Sequence, residues 1–371
     1  MDTRLQLFKE AFIKRHEKGR ELKAKGKRLL GWICTYVPEE LIMAAGAIPV
    51  RVTGPLGDTP RANSYLPSNT CSTMRSCLDA ALAKTYDYLE GVVFSNSCDN
   101  MGRCFDIWRN HSGYSYLHFF NTPHSRSKNA FRLYLYELER FKVSLEALLN
   151  VNITDEAIRN AIRLLNEERE LLTKLYELRA ENPPPLTGTD AFFVVASAMT
   201  LPKEESIELL RKLLEEPPKP LQDLKDRPRI LVSCSFIDDE AKLVNLIEES
   251  GGVVVVDDSC CGMRYFKDIV EEAKPSLQAI AERYLNKVPC PFMEHYEDRF
   301  KHVKDLIKRY NVQGVIYYCV KFCDVHLFDA PMLMEELREM GIPCIFLDWS
   351  HTELDWSPLK TRVEAFIESL R

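Results

Sequence analysis

Twelve of the 371 residues are cysteine, and several stand where an apolar run stops. Residues 314–324, GVIYYCVKFCD, begin as an unbroken apolar stretch and end in Cys319 and Cys323. Cys98 follows Gly91–Ser95, Cys234 closes residues 229–233, and Cys260 and Cys261 follow Val253–Asp258. Continuous hydrophobic runs of this length read as buried parallel strands. Open α/β sheets bind ligands in the crevice beyond the carboxyl ends of such strands. Four strands are therefore expected to deliver sulfur at one kind of edge. Burial is the first account of any single cysteine, because the free thiol is among the most buried side chains. For the set, a soft-metal site, above all an iron–sulfur one, is the better account.

Three loose pairs stand out: Cys71/Cys77, Cys98/Cys104 and Cys319/Cys323. None has the tight C-x2-C spacing of a ferredoxin or a zinc ribbon, so spacing alone does not name the metal, and a purely structural zinc is the weakest reading. Cys71 and Cys98 are expected to open helices, where the positive end of the dipole favours thiolate. Cys290, between Pro289 and Pro291, reads as a structural loop anchor. Cys34 precedes Glu39 and Glu40, whose carboxylates suit the first turn of a helix. Asp99 and Asp324 follow candidate ligands and either orient the site or cap helices. Asp257 and Asp258 are too few for a hard cation. Arg75, Arg103 and Arg109 read as solvated helix faces. The histidines are scattered, with no H-E-x-x-H. No catalytic acid or base is assigned.

The elements that must position these thiols alternate. Residues 1–30 read as an N-terminal amphipathic helix with a basic turn. Residues 31–216 read as a first α/β domain, with strands at 47–52, 91–95 and 114–120 and a charged helical segment over 128–216. Pro217, Pro218 and Pro220 mark a linker. Residues 221–371 read as a second α/β domain, with strands at 229–233, 253–256, 314–318 and 343–347 and helices including 239–249 and 330–340. The alternation favours mostly parallel sheets, and the length favours two domains. No internal repeat is visible. Composition is 46% apolar and 28% charged with a net charge of −6, which gives no support to nucleic-acid or anionic-membrane binding. No apolar run approaches the roughly 20 residues of a membrane span. The charged N-terminus lacks a signal-peptide core, and so many cysteines without an export signal point to a reducing cytoplasm rather than a disulfide framework.

The motifs SNTCSTMRSCLD around Cys71, VVFSNSCDNMGRCFDIWR around Cys98, DDSCCGMRYF around Cys260, KVPCPFM around Cys290 and YCVKFCDVHLFDAP around Cys323 resemble those of the 2-hydroxyacyl-CoA dehydratase/benzoyl-CoA reductase family. ICTYVPEELIMAAGAIPVRV and KTRVEAFIESLR are similar to its terminal signatures, so the resemblance runs over nearly the whole chain. It implies two Rossmann-like or flavodoxin-like domains with a 4Fe-4S cluster in the cleft between them. It places the cluster ligands at Cys71, Cys98 and Cys323, leaving one iron without a protein thiolate. It further implies one-electron reduction of an acyl-CoA or aryl-CoA substrate, by way of a ketyl radical in the dehydratases. A separate ATP-dependent iron–sulfur activator would supply the electron, in keeping with the absence of a G-x-x-x-x-G-K-[ST] loop here. The partner would be a homologous second subunit or a second copy. Cys77, Cys104, Cys319 and Cys261 depart from the plain pattern. A related branch carries a double-cubane 8Fe-9S cluster in a homodimeric reductase of small molecules, and Cys77, Cys104 and Cys319 are the second-tier ligands for that alternative. A cluster-bearing electron-transfer subunit without its own substrate is a third reading.

Overall fold

The computed structural model describes residues 2–237 and 240–371. Two helices, α1 (Thr3–Ile13) and α2 (Arg15–Ala24), lead into β1 (Arg28–Ile33). There follow α3 (Glu39–Ala44), β2 (Ala47–Arg51), α4 (Ser72–Leu82), β3 (Gly91–Ser95), α5 (Asp99–His111) and β4 (Tyr116–Phe120). A helical stretch holds α6 (Lys128–Leu149), α7 (Asp155–Leu178), α8 (Gly188–Ala198) and α9 (Lys203–Glu215). The remainder is β5 (Arg229–Cys234), α10 (Lys242–Glu249), β6 (Val253–Asp258), α11 (Met263–Phe266), α12 (Ser276–Asn286) and α13 (Tyr296–Arg309). It closes with β7 (Gly314–Val320), α14 (Asp324–Glu339), β8 (Cys344–Trp349) and α15 (Ser357–Ser369).

The strands form two four-stranded sheets, ordered β2-β1-β3-β4 and β6-β5-β7-β8, and every pairing is parallel. This is the α/β class that the alternation implies and the flavodoxin-like arrangement that the resemblance implies. In each sheet the order reverses beside the first strand, so each has a crevice at its carboxyl edge between the first and third strands of its own half. The two halves thus share one topology although no repeat is readable in their sequences. The central strands β3, β5 and β7 are buried throughout, and so is the edge strand β6. The helical stretch ties the sheets together: α6 packs on α12, α7 on α3, α11 and α12, and α8 on α1, α10 and β6.

Three local expectations differ from the structure. The first thirty residues are two helices broken at Lys14 and the start of a strand, not one helix. In β1, Gly31 lies where a Cβ would come within 2.7 Å of Leu89 and 2.8 Å of Val52. The helix after Cys323 starts at Asp324, almost two turns before 330. Of the helix expected over 239–249, the described part runs from Lys242, and Asp239 lies outside the described residues.

Candidate metal centre between the two sheets

Cys71, Cys98 and Cys323 occupy equivalent positions. Each is the N-cap residue of its helix: Cys71 of α4, Cys98 of α5 and Cys323 of α14. None makes a formed side-chain cap, yet in each case the backbone N–H three residues on, of Met74, Met101 or His326, pulls the thiol pKa down. A helix N-terminus presents unpaired N–H groups and positive potential to whatever negative charge the sulfur carries. Burial wins against that pull. It pushes Cys71 up to about 12, with Cys323 adding to the rise, and it pushes Cys98 up, with Cys71 and Cys323 both contributing. Cys323 is raised first by its hydrogen bond with Cys319 and then by burial. Cys71 thus senses Cys323, and Cys98 senses both. Metal binding to such a set displaces protons.

One amide ties the three loops together. Asn100, two residues after Cys98, accepts the backbone N–H of Cys71 through Oδ1 at 3.0 Å and donates through Nδ2 to the carbonyl of Phe322 at 3.2 Å. Phe322 takes a left-handed φ of 66°, and Cys34, just past β1, takes 80°. Non-glycine residues held there carry backbone strain, which concentrates at functional sites. Both lie directly beyond a strand that borders a crevice.

Cys71, Cys98 and Cys323 line one cavity of about 850 Å3, counting the space at its mouth. Its walls come from the carboxyl ends of strands in both sheets. Beside Cys98, past β3, stand Ile33 at the end of β1 and Cys34 just past it, Arg51 of β2, Ser235 past β5, Cys260 past β6 and Cys323 past β7. Of the second-tier residues only Cys77 reaches the cavity. Cys104 is in the hydrophobic core, and Cys319 is fully buried in β7, its Sγ 3.4 Å from the Val320 carbonyl. Cys71 reaches the cavity from the N-cap position of α4 and Cys77 from within the same helix. Cys234 is buried in β5 away from the cavity, so that strand delivers Ser235 rather than sulfur.

Three cavity thiols have other roles in the sequence reading or none. Cys290 is no mere loop anchor: it lines the cavity with Cys34 and Cys260. Burial raises Cys290 to about 12, opposed by Arg264, while Cys34 and Cys260 raise it further. Cys260 is lowered, first by its hydrogen bond with Cys261 and then, against burial, by Arg51, Arg264 and Lys287. The signal for Cys260 was its place past a strand; Cys34 follows a strand that the sequence did not show, and Cys290, flanked by prolines, had only the motif KVPCPFM.

The donor chemistry is one-sided. Among the described residues no carboxylate lines the cavity, whereas Arg51, Arg264 and Lys287 do. No three His, Cys, Asp or Glu side chains among them converge on a single ion position. A polynuclear cluster spreads its thiolates over separate irons, and an anionic iron–sulfur core would meet both the sulfur and the positive charge. The residues fit such a group. The carboxylates near Cys34 have a different task from a helix cap: Glu40 pairs with Arg169 at 2.7 Å and Glu39 with Lys203 at 3.5 Å, all buried. Asp257 accepts from Tyr176, and Asp258 pairs with Arg299. Arg103 and Arg109 are exposed and paired within their own helix, whereas Arg75 is buried against Ser68 and Thr59.

A second cavity adjoins Cys98, with Phe292, Met293, Tyr296, Val325, Phe328 and Met332 in its wall together with Asp99, His124, Glu294 and Asp329. It shares Ser97, Cys98, Phe292 and Val325 with the first.

The family model for the 2-hydroxyglutaryl-CoA dehydratase D-component matches residues 34–370. The chain belongs to this dehydratase family. Its relatives in the family include the (R)-phenyllactyl-CoA dehydratase beta subunit of Clostridium sporogenes, 27% identical over 95% of this chain and 94% of the relative. A benzoyl-CoA reductase subunit of Thauera aromatica is 26% identical over 93% of this chain and 91% of its own length. The putative dehydratase subunit YjiM of Escherichia coli K12 is 30% identical over 94% and 93%. The matched span holds every cavity cysteine. No described helix is long and apolar enough to cross a membrane.

Proposed function

We propose that this chain is the iron–sulfur subunit of an oxygen-sensitive enzyme that reductively activates a CoA thioester, by 2-hydroxyacyl-CoA dehydration or aryl-CoA reduction. The observation that carries the reading is the convergence of three helix N-cap cysteines, Cys71, Cys98 and Cys323, on a carboxylate-free cavity between the sheets. When bound there, a 4Fe-4S cluster supplies a low-potential electron and, at an iron without a protein thiolate, a Lewis acid. The chain's own part is to hold the three sulfurs, through Asn100 and the helix N-termini, and to exclude water. The cavity adjoining Cys98 is the approach for the acyl or aryl group. A homologous subunit or a second copy would complete the enzyme, in keeping with relatives that are themselves named as single subunits of larger enzymes. The electron would come from an ATP-dependent activator, in a reducing cytoplasm that suits free thiols.

A second reading is favoured by Cys34, Cys260 and Cys290. With the first three and Cys77 they make seven cavity thiols, enough for a double-cubane 8Fe-9S cluster, and they stand in for Cys104 and Cys319 as second-tier candidates. This reading makes the chain a homodimeric reductase of small molecules. Iron and acid-labile sulfide per chain, on strictly anaerobic protein, separate the readings: about four of each for one cubane, about eight irons for two. Protein without iron would sink both. A reduced-state spectrum indifferent to acyl-CoA thioesters would favour an electron carrier instead.

A further inference from the structure

Arg51 ends β2 and its side chain is buried in the cavity wall. The guanidinium lies 4.6 Å from the centre of the Trp32 ring, and Nη2 is 3.8 Å from Cys260 Sγ. Nε and Nη1 have no hydrogen-bond partner. The other buried arginines each reach an oxygen. Arg169 has Glu40, Arg299 has Asp258 and Asp329, and Arg179, Arg229, Arg264 and Arg283 donate to carbonyls. Arg75 meets Ser68 and Thr59. Among the described residues Arg51 is thus the buried arginine whose side chain meets sulfur and no oxygen. A buried guanidinium with two unpaired nitrogens and no oxygen partner is costly, so its position calls for further negative charge inside the cavity, on the Cys260 side.

We infer that Arg51 is the counter-charge of the cluster and donates N–H groups to one of its sulfur atoms, a positioning residue that raises its reduction potential. The inference rests on the cluster reading above. Hydrogen bonds to sulfur and nearby charge are among the levers that set iron–sulfur potentials. A fixed cation stabilises the more negative, reduced state, so removing it makes reduction harder. Stacking on Trp32 holds the guanidinium plane in place.

The test uses anaerobically purified wild-type chain, Arg51→Gln and Arg51→Lys, with iron and sulfide counted and the midpoint potential read by EPR-monitored titration. Arg51→Gln should shift the midpoint to more negative potential at wild-type iron content, with Arg51→Lys staying closer to wild type. Loss of iron from Arg51→Gln but not from Arg51→Lys, both with wild-type far-UV circular dichroism, would equally support the counter-charge. Unchanged midpoints in both variants at full iron would overturn the inference, as would iron loss from both while they remain folded. Iron-free wild-type protein would bring down the cluster reading itself, a result distinguishable from either.

Discussion

At the carboxyl end of the first sheet, Cys34, Cys71 and Cys98 sit against apolar side chains, held by helix N-termini and the Asn100 amide. At the carboxyl end of the second, the loops bearing Cys260 and Cys323 stand over a lattice of buried charge. Arg299 donates to Asp329 at 2.6 Å, to Ser233 at 2.8 Å and to Asp258 at 2.9 Å. Tyr317 links Asp329 to His326, in the first turn of the helix that Cys323 caps. The strand order is the same in both halves, so topology alone does not decide how a site is held. One half relies on packing and helix N-termini, the other on buried electrostatics.

The sharpest way to break this contrast is to remove Arg299. Arg299→Met leaves Asp258 and Asp329 buried without their shared cation and should cost about 3–5 kcal/mol in chemical denaturation of the apo protein. A loss near zero would mean the lattice does not support the second half. Next in size is the ligand set itself. Cys98→Ala or Cys323→Ala should lose most of the iron while the apo fold persists, whereas Cys104→Ala should keep it at a cost of about 1 kcal/mol. Full iron in Cys323→Ala would remove that residue from the ligand set.

Asn100→Ala tests the amide clamp. It should cost about 1 kcal/mol in stability and speed iron release to a chelator, since Cys71 and Cys323 lose their common tether. Equal release rates would make the clamp incidental. The smallest effect concerns His118 on β4. Burial lowers its pKa from 6.5 to about 4, with Arg140 adding to the fall. Protonation therefore favours the unfolded chain. The stability His118 contributes is present above 6.5 and is lost as pH falls toward about 4. His118→Phe should remove its share of that dependence, read as a shallower fall in unfolding free energy between about pH 7 and 4; an unchanged slope would assign the dependence elsewhere.

The sequence carried the fold class and most strands because buried parallel strands announce themselves as apolar runs. It concealed β1, where a basic stretch runs straight into LLGWI and Gly31 interrupts the run for a packing reason that only the folded neighbours supply. With β1 hidden, Cys34 lost its status as a strand-end residue. The motif resemblance pointed at Cys71, Cys98 and Cys323, and the structure brings these three together. Cys290 was illegible because its approach to the cavity depends on the loop before α13 folding back under Tyr36, whose hydroxyl accepts its backbone N–H at 3.3 Å. Glu39 and Glu40 were open to a local explanation, and only their long-range partners on α7 and α9 tell otherwise.

That the three N-cap thiols are divided between the sheets bears on how the protein is made. Cys71 and Cys98 leave the ribosome more than half a chain length before Cys323, a delay of tens of seconds at about 5–20 residues per second. In that interval the first sheet can fold, but its two sulfurs have no third. A cofactor offered early would be held by an incomplete set, open to solvent and to oxidation. Loading is therefore expected to follow the docking of the second sheet, so that a filled site would mark a chain whose two halves have both folded.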